Sequence, residues 1–186
     1  IAVRSALTGH TVLSTLHSND ATSAVTRLLN MGLDASLLTT TLRGVLAQRL
    51  VRQTCSSCAT ADEPTPLAVK EFGPALPGLA GHFSYGKGCS NCNFTGYRGR
   101  LPIAELWLPD RDELLLISHN PDNMTLRSKV FGGSRRLTML EDGLRLVREG
   151  KTTLEELIRV VPSEQFEEWQ IMNAPRAGVP ADGKIS

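Results

Sequence analysis

The chain has 186 residues, of which 41% are hydrophobic, 21% charged and 5% aromatic, and its net charge is +1. This composition can bury a core, but it is too near neutral and too poor in aromatics to mark a nucleic-acid or acidic-lipid binder. No apolar run approaches the roughly 18 residues needed to span a bilayer, and no secretory leader pattern is visible.

Ile1 to Thr8 reads as the end of a helix, entered without a cap, with Gly9 as its C-terminal glycine. Thr11 to Leu16 mixes Val12, Leu13 and Leu16 with small hydroxyl residues and predicts a short strand. A single strand needs partners, which are expected from chain lying upstream. The turn His17-Ser18-Asn19-Asp20 offers helix caps. Ala21, Ala24, Val25, Leu28 and Leu29 then put one apolar face on a helix that Gly32 ends. Asp34 or Ser36 caps another helix, with Leu38, Leu42, Val45 and Leu46 as its stripe, predicted to run to about Arg52. Helix, strand, helix, helix is a piece of an open α/β domain.

Composition changes at Thr54. From there to about Arg100 lie all four cysteines, many glycines and prolines, and little periodicity. Leu101 to Leu108 returns to a strand-like run. Asp110 with Glu113 and Thr153 with Glu156 have the spacing of capping boxes that open helices. Gly150 closes one helix and Pro162 stops another. Ser163 is expected to cap a last helix through Met172, and residues 174–186 are expected to be a flexible tail. The domain reading is therefore 1–53, 54–100, 101–173 and 174–186.

Cys55 and Cys58 form one pair with two residues between them, and Cys89 and Cys92 form another. Each pair can turn two thiolates toward one point, and two such knuckles make the closed tetrahedral S₄ shell of structural zinc. Such a shell leaves no coordination site for a reacting water. Two disulfides, four reduced structural cysteines and an iron–sulfur centre are the alternatives; the absence of secretory features argues against disulfides. His82 lies in the intervening loop and reads as a surface residue, since four thiolates suffice. With so few apolar residues, the segment is expected to fold only with its metal.

His17 stands at the carboxyl end of the predicted strand, before a helix N-terminus, where α/β sheets bind anions. His10 stands at the other end, up to ~23 Å away if the stretch is extended. The reading is His17 near a phosphate and His10 structural.

The run LTGHTVLSTLHSNDA (residues 7–21) resembles the histidine box of the type II/type IV secretion ATPase superfamily. LRGVLAQRLVR (42–52) resembles the segment that follows it there. The cysteine pairs with GYRGR (96–100) resemble the zinc subdomain of type II secretion and pilus-assembly ATPases. MLEDG (139–143) and GKTTLEE (150–156) resemble the family's C-terminal helices. The resemblance covers about residues 1–162, in order. It implies the C-terminal part of a RecA-like P-loop NTPase domain, with an inserted tetracysteine zinc subdomain and a C-terminal helical bundle.

By the same resemblance the parent is a hexameric cytoplasmic ATPase that uses ATP and Mg²⁺. It would dock on inner-membrane secretion platform proteins and drive assembly of a pseudopilus or a type IV pilus; the near-neutral charge adds the expectation that no nucleic acid is bound. Retraction ATPases of the superfamily generally lack the cysteine pairs. His17 maps to the residue that senses the γ-phosphate, and Cys55, Cys58, Cys89 and Cys92 map to structural Zn²⁺ ligands. The chain carries no G-x-x-x-x-G-K-[ST] loop, and the family's acidic magnesium ligands and arginine fingers lie upstream of the matched segments. The expectation is that the chain alone hydrolyses no ATP. Arg27, Arg43, Arg49 and Arg52 read as solvated or packing residues rather than fingers. Other readings are a stand-alone zinc-binding interaction module, a nucleic-acid-binding zinc ribbon drawing on Lys87, Tyr97, Arg98 and Arg100, and a metalloenzyme. Near-neutral charge weighs against the ribbon, and the closed shell against the metalloenzyme.

Overall fold

The computed structural model describes residues 2–61, 63–73, 83–133 and 136–173. Ile1, His82 and the tail 174–186 named above lie outside the described residues. The elements in order are α1 (Ala2–Leu7), α2 (Ala21–Asn30), α3 (Ala35–Thr41), β1 (Val45–Thr54), β2 (Ala59–Ala61), α4 (Pro66–Phe72), β3 (Ser84–Gly86), β4 (Tyr97–Trp107), α5 (Arg111–Ser118), α6 (Asn123–Phe131), α7 (Met139–Arg148), α8 (Leu154–Val160) and α9 (Ser163–Asn173). This is a mixed α/β chain. Among the described residues, β1 pairs with β4 and β2 pairs with β3. The chain divides into two compact units, residues 1–49 with 102–142, and residues 50–101 with 143–186.

In the first unit, α2 opens on a full capping box. Asp20 accepts from the Ser23 backbone N–H, and Ser23 Oγ accepts from the Asp20 N–H. Its apolar face buries Ala21, Ala24 and Val25, and Gly32 follows its end at φ +83°. The core adds Ile103 and Trp107 from β4, Ile117 from α5, Leu126 from α6 and Met139 from α7, all fully buried. At roughly 1.5–3 kcal/mol per large apolar side chain, these residues hold the unit together. Asp110 and Glu113 form the expected capping box at α5. The Glu113 carboxylate also accepts from the Trp107 indole at 3.0 Å and binds Arg136.

The first unit departs from the sequence reading at two places. Thr11–Leu16 forms no strand; residues 10–18 have no regular structure, and Leu13 is 93% exposed. Among the described residues no strand pairs with this stretch, so its backbone groups have no ladder to join. The helix expected through Arg52 ends at Thr41, and Val45–Thr54 is strand β1. Thr39, Thr40 and Thr41 turn their hydroxyls back onto helix carbonyls, which weakens continuation. Gly44 then packs so closely that a Cβ there would lie 2.7 Å from Leu108 Cδ2. Burial of Ala47, Val51 and Thr54 in the strand, with its partner β4, outweighs the local helical stripe.

In the second unit, β2 and β3 pair antiparallel, with Thr60 opposite Tyr85. The segment read as irregular contains α4, capped by Thr65 with Pro66 in its first turn. Phe72 closes α4 against the edges of Phe166 and Trp169, with ring centroids 5.3 and 5.6 Å away. Gly150, at φ +67°, ends α7 as expected, with its N–H on the Val147 carbonyl. Thr153 caps α8, but its box is incomplete. The Glu156 carboxylate turns instead to Arg52 and Arg159.

Candidate metal centre and a polar recess

The second unit gathers all four cysteines. Cys55 ends the run from β1, and Cys55–Cys58 makes a turn closed by the Cys58 N–H on the Cys55 carbonyl at 3.2 Å. Cys89–Cys92 makes a second turn, with the Cys92 N–H on the Cys89 carbonyl at 3.1 Å. The turns are tied together: Cys55 N–H donates to the Gly96 carbonyl at 2.9 Å, Lys87 N–H to the Cys58 carbonyl at 3.1 Å, and Asn91 Nδ2 to Ser57 Oγ at 3.1 Å. Glycine is required at two of these crossings. A Cβ on Gly88, which sits at φ +91°, would lie 2.7 Å from the Phe94 carbonyl oxygen, and one on Gly86 would overlap the Gly96 backbone.

The four sulfur atoms lie within 4.8 Å of one another. Cys55–Cys89 and Cys58–Cys92 are 3.9 Å apart, and Cys89–Cys92 is 3.8 Å. Tetrahedral ligation with metal–sulfur bonds of ~2.3 Å requires sulfur–sulfur spacings of about 3.8 Å, and these three spacings match it. A disulfide needs ~2.05 Å, and the four cysteines are free thiols. Two of the thiols, Cys58 and Cys92, are shifted in opposite directions. The Cys89 N–H, 3.2 Å from Cys92 Sγ, lowers the Cys92 thiol to about 6. Burial pushes the Cys58 thiol up to about 12. A bound cation would favour the thiolate at every position.

The first unit carries His17, which is exposed in the irregular stretch before α2. His17, Ser18 and Asn19 form one side of an open recess of about 550 Å³. Ser23, Thr26, Arg27 and Asn30 reach it from one face of α2, and Arg49 from β1. Arg49 Nη2 donates to Asn19 Oδ1 at 3.3 Å. His10 is not on this wall; its Nδ1 lies 3.1 Å from Thr8 Oγ1. Arg43 is exposed off the wall, and Arg52 belongs to the second unit, stacked 4.0 Å from the Tyr97 ring.

At the Asp20–Ala21 start of α2 lies a buried ionic cluster that sequence reading missed. Glu105 Oε1 accepts from the Ala21 N–H at 2.7 Å and from Arg127 Nη1 at 3.2 Å, while Oε2 accepts from the Met139 N–H at 3.2 Å. One carboxylate thus satisfies the first N–H of both α2 and α7. Asp20 Oδ2 lies 3.9 Å from the same guanidinium. The polar face of α2 at positions 23, 27 and 30 was a readable signal for the recess. Arg49 was hidden by the helical reading of β1, and Glu105 by its distance along the chain.

A family model described as type II/IV secretion system protein matches residues 1–159. The type II secretion system protein E of Pectobacterium carotovorum subsp. carotovorum is 47% identical over 164 residues, covering 88% of this chain and 32% of that protein. Its namesake in Dickeya dadantii (strain 3937) is 43% identical over 166 residues, with shares of 88% and 32%. The type IV pilus assembly ATPase PilB of Thermus thermophilus is 40% identical over 159 residues, 85% of this chain and 18% of that protein. The chain spans about a third of the length of these type II relatives and less of the pilus protein. Among the described residues, no helix is long and apolar enough to cross a membrane.

Proposed function

The chain belongs to the type II/IV secretion system protein family, and on that premise we propose that it is the C-terminal part of a cytoplasmic motor ATPase that powers type II protein secretion. The observation that carries this is the match over residues 1–159, which takes in both the His17 turn and the two cysteine pairs. In this reading the parent is a RecA-like hexamer docked at the inner membrane on its secretion platform. The loop that cradles the ATP phosphates and the acidic ligands of Mg²⁺ are supplied in this reading by residues other than these 186, among which no G-x-x-x-x-G-K-[ST] loop occurs.

Cys55, Cys58, Cys89 and Cys92 hold a structural zinc in this proposal, since an all-thiolate tetrahedral set suits that ion. The ion closes its own shell and supplies a cross-link between two turns rather than a reacting water. His17 serves the nucleotide's γ-phosphate, and the polar wall around it supports an anionic contact. The second reading is a type IV pilus assembly ATPase, favoured by the relatives in Thermus thermophilus and Acinetobacter baylyi, 40% identical each.

A chromosomal His17→Ala substitution separates the readings. Loss of exoprotein export with intact surface pili supports the secretion motor. Loss of pili with intact export supports the second reading. Normal export together with normal piliation removes the motor assignment.

A further inference from the structure

The four cysteines of the second unit sit in two turns that are joined without the help of sulfur. The Cys55 N–H reaches the Gly96 carbonyl at 2.9 Å, the Lys87 N–H reaches the Cys58 carbonyl at 3.1 Å, and Asn91 Nδ2 reaches Ser57 Oγ at 3.1 Å. The Gly86 and Gly96 backbones also meet too closely for a Cβ on either. These contacts hold the turns face to face independently of any bond to sulfur.

Three close sulfur contacts result: Cys55–Cys89 and Cys58–Cys92 at 3.9 Å, and Cys89–Cys92 at 3.8 Å. They permit one complete pairing, Cys55 with Cys89 and Cys58 with Cys92, because the third contact takes one sulfur from each of those pairs. Both members of this pairing cross between the turns. Each also joins a buried cysteine, Cys55 or Cys92, to a half-buried one, Cys89 or Cys58. A disulfide bond of ~2.05 Å asks each sulfur to move by about 1 Å. Such a bond closes a loop of 34 positions, whereas a bond between Cys89 and Cys92 spans three. The longer link tethers the turns and restrains the unfolded chain; the shorter one does neither to the same degree.

We infer that the tetracysteine cluster is an oxidation site, at which hydrogen peroxide converts the four thiols into Cys55–Cys89 and Cys58–Cys92 disulfides. The half-buried Cys89 thiolate attacks the peroxide; an S–O bond forms, the O–O bond breaks, and hydroxide leaves. The Cys55 thiolate then attacks the sulfenic sulfur; the S–S bond forms, the S–O bond breaks, and the oxygen leaves as hydroxide. With the two thiol protons counted, two thiols and one peroxide give one disulfide and two waters. A second peroxide repeats the sequence at Cys58 and Cys92. An ion held by these thiolates is released as they are consumed, and the covalent links take over its place between the turns. The turns thereby keep their contacts with the rest of the unit, where the Thr54 N–H meets the Lys151 carbonyl at 2.9 Å and the Tyr97 hydroxyl lies 3.1 Å from Thr153 Oγ1. A dithiol reductant restores the starting state. The inference rests on the four sulfur positions and not on which ion they hold.

The test treats the purified 186-residue chain with a few equivalents of hydrogen peroxide, blocks any remaining thiols and digests with trypsin. Cleavage after Arg52, Lys70, Lys87 and Arg98 puts Cys55 and Cys58 on peptide 53–70, and Cys89 and Cys92 on peptide 88–98. The expected result is loss of all four thiols, with these two peptides joined and separating on reduction. The oxidised chain is expected to keep its circular dichroism and to melt above the reduced, chelated chain. The double variant Cys58→Ser/Cys92→Ser should still form the Cys55–Cys89 link, and Cys55→Ser/Cys89→Ser the Cys58–Cys92 link. If these variants fail to fold, fragmentation of the joined wild-type peptides assigns the partners directly. Separate peptides with a disulfide inside each turn, the opposite cross-pairing, sulfinic or sulfonic products, or thiols that survive excess peroxide overturn the inference. Metal is counted before oxidation. A chain isolated without zinc that still forms both links removes the zinc reading and leaves this one standing; a chain with one zinc whose thiols pair otherwise does the reverse.

Discussion

Glu105→Ala removes one carboxylate that three buried groups share. Its side chain is fully buried, and so are Ala21 and Met139, whose N–H groups it accepts. Arg127, whose side chain is 3% exposed, would keep its charge in the interior with Asp20 at 3.9 Å. Breaking a buried pair by deleting one partner costs about 3–5 kcal/mol. Each orphaned N–H adds roughly 1 kcal/mol or more unless water reaches it. A loss of about 4 kcal/mol is a large part of the roughly 5–15 kcal/mol that a domain holds in total. The assay is urea unfolding followed by the emission of Trp107, which is fully buried in the same unit, in a Trp169→Phe background. With a slope near ~2 kcal/mol per molar, the midpoint should fall by about 2 M. A double-mutant cycle with Arg127→Ala should return a coupling of at least ~1 kcal/mol. A midpoint shift below about 0.5 M, or no coupling, would refute the view that this cluster holds α2 and α7 in place.

Purified chain should carry about one zinc, with four thiols becoming reactive on chelation; no bound metal and immediately reactive thiols would reject the metal assignment. Gly86→Ala should lower metal content with all four cysteines intact, because the added Cβ meets the Gly96 backbone; an unchanged content would show that the turns can move apart. Burial by itself would raise the Glu156 carboxyl, but hydrogen bonds from Arg159 and Arg52 outweigh it and hold the group at about 2, against an ordinary 4.5. A depressed carboxyl stabilises the fold above its unfolded value, and that contribution is lost as pH falls from about 4.5 toward 2. The shift corresponds to at most about 3 kcal/mol, and the half-exposed guanidiniums reduce this to roughly 2. Glu156→Gln should flatten this acid limb when stability is followed by Trp169 emission, and an unaltered limb would assign the acid lability elsewhere.

The sequence by itself determined the features set by a few neighbouring residues. Asp20 and Asp110 cap their helices, Gly32 and Gly150 end theirs, and both cysteine pairs turn their thiols inward, because each of these is a matter of one turn of backbone. The same logic was available for Thr65-Pro66 at the start of α4.

Only the tertiary structure decided the rest. Leu38, Leu42, Val45 and Leu46 have a helical period, yet pairing with β4 and the close contact at Gly44 made Val45–Thr54 a strand. Thr11–Leu16 has a strand's composition, but among the described residues no strand pairs with it, and it is irregular. Capping boxes are only proposals by the sequence when a distant cation competes, as Arg52 does for Glu156 across 104 positions. Glu105 reaches Ala21 across 84 positions, and Arg49 meets the His17 turn only because β1 is a strand. Caps and knuckles are closed by local dihedrals, whereas ladders, buried charges and recesses are closed by chain segments that meet only after folding.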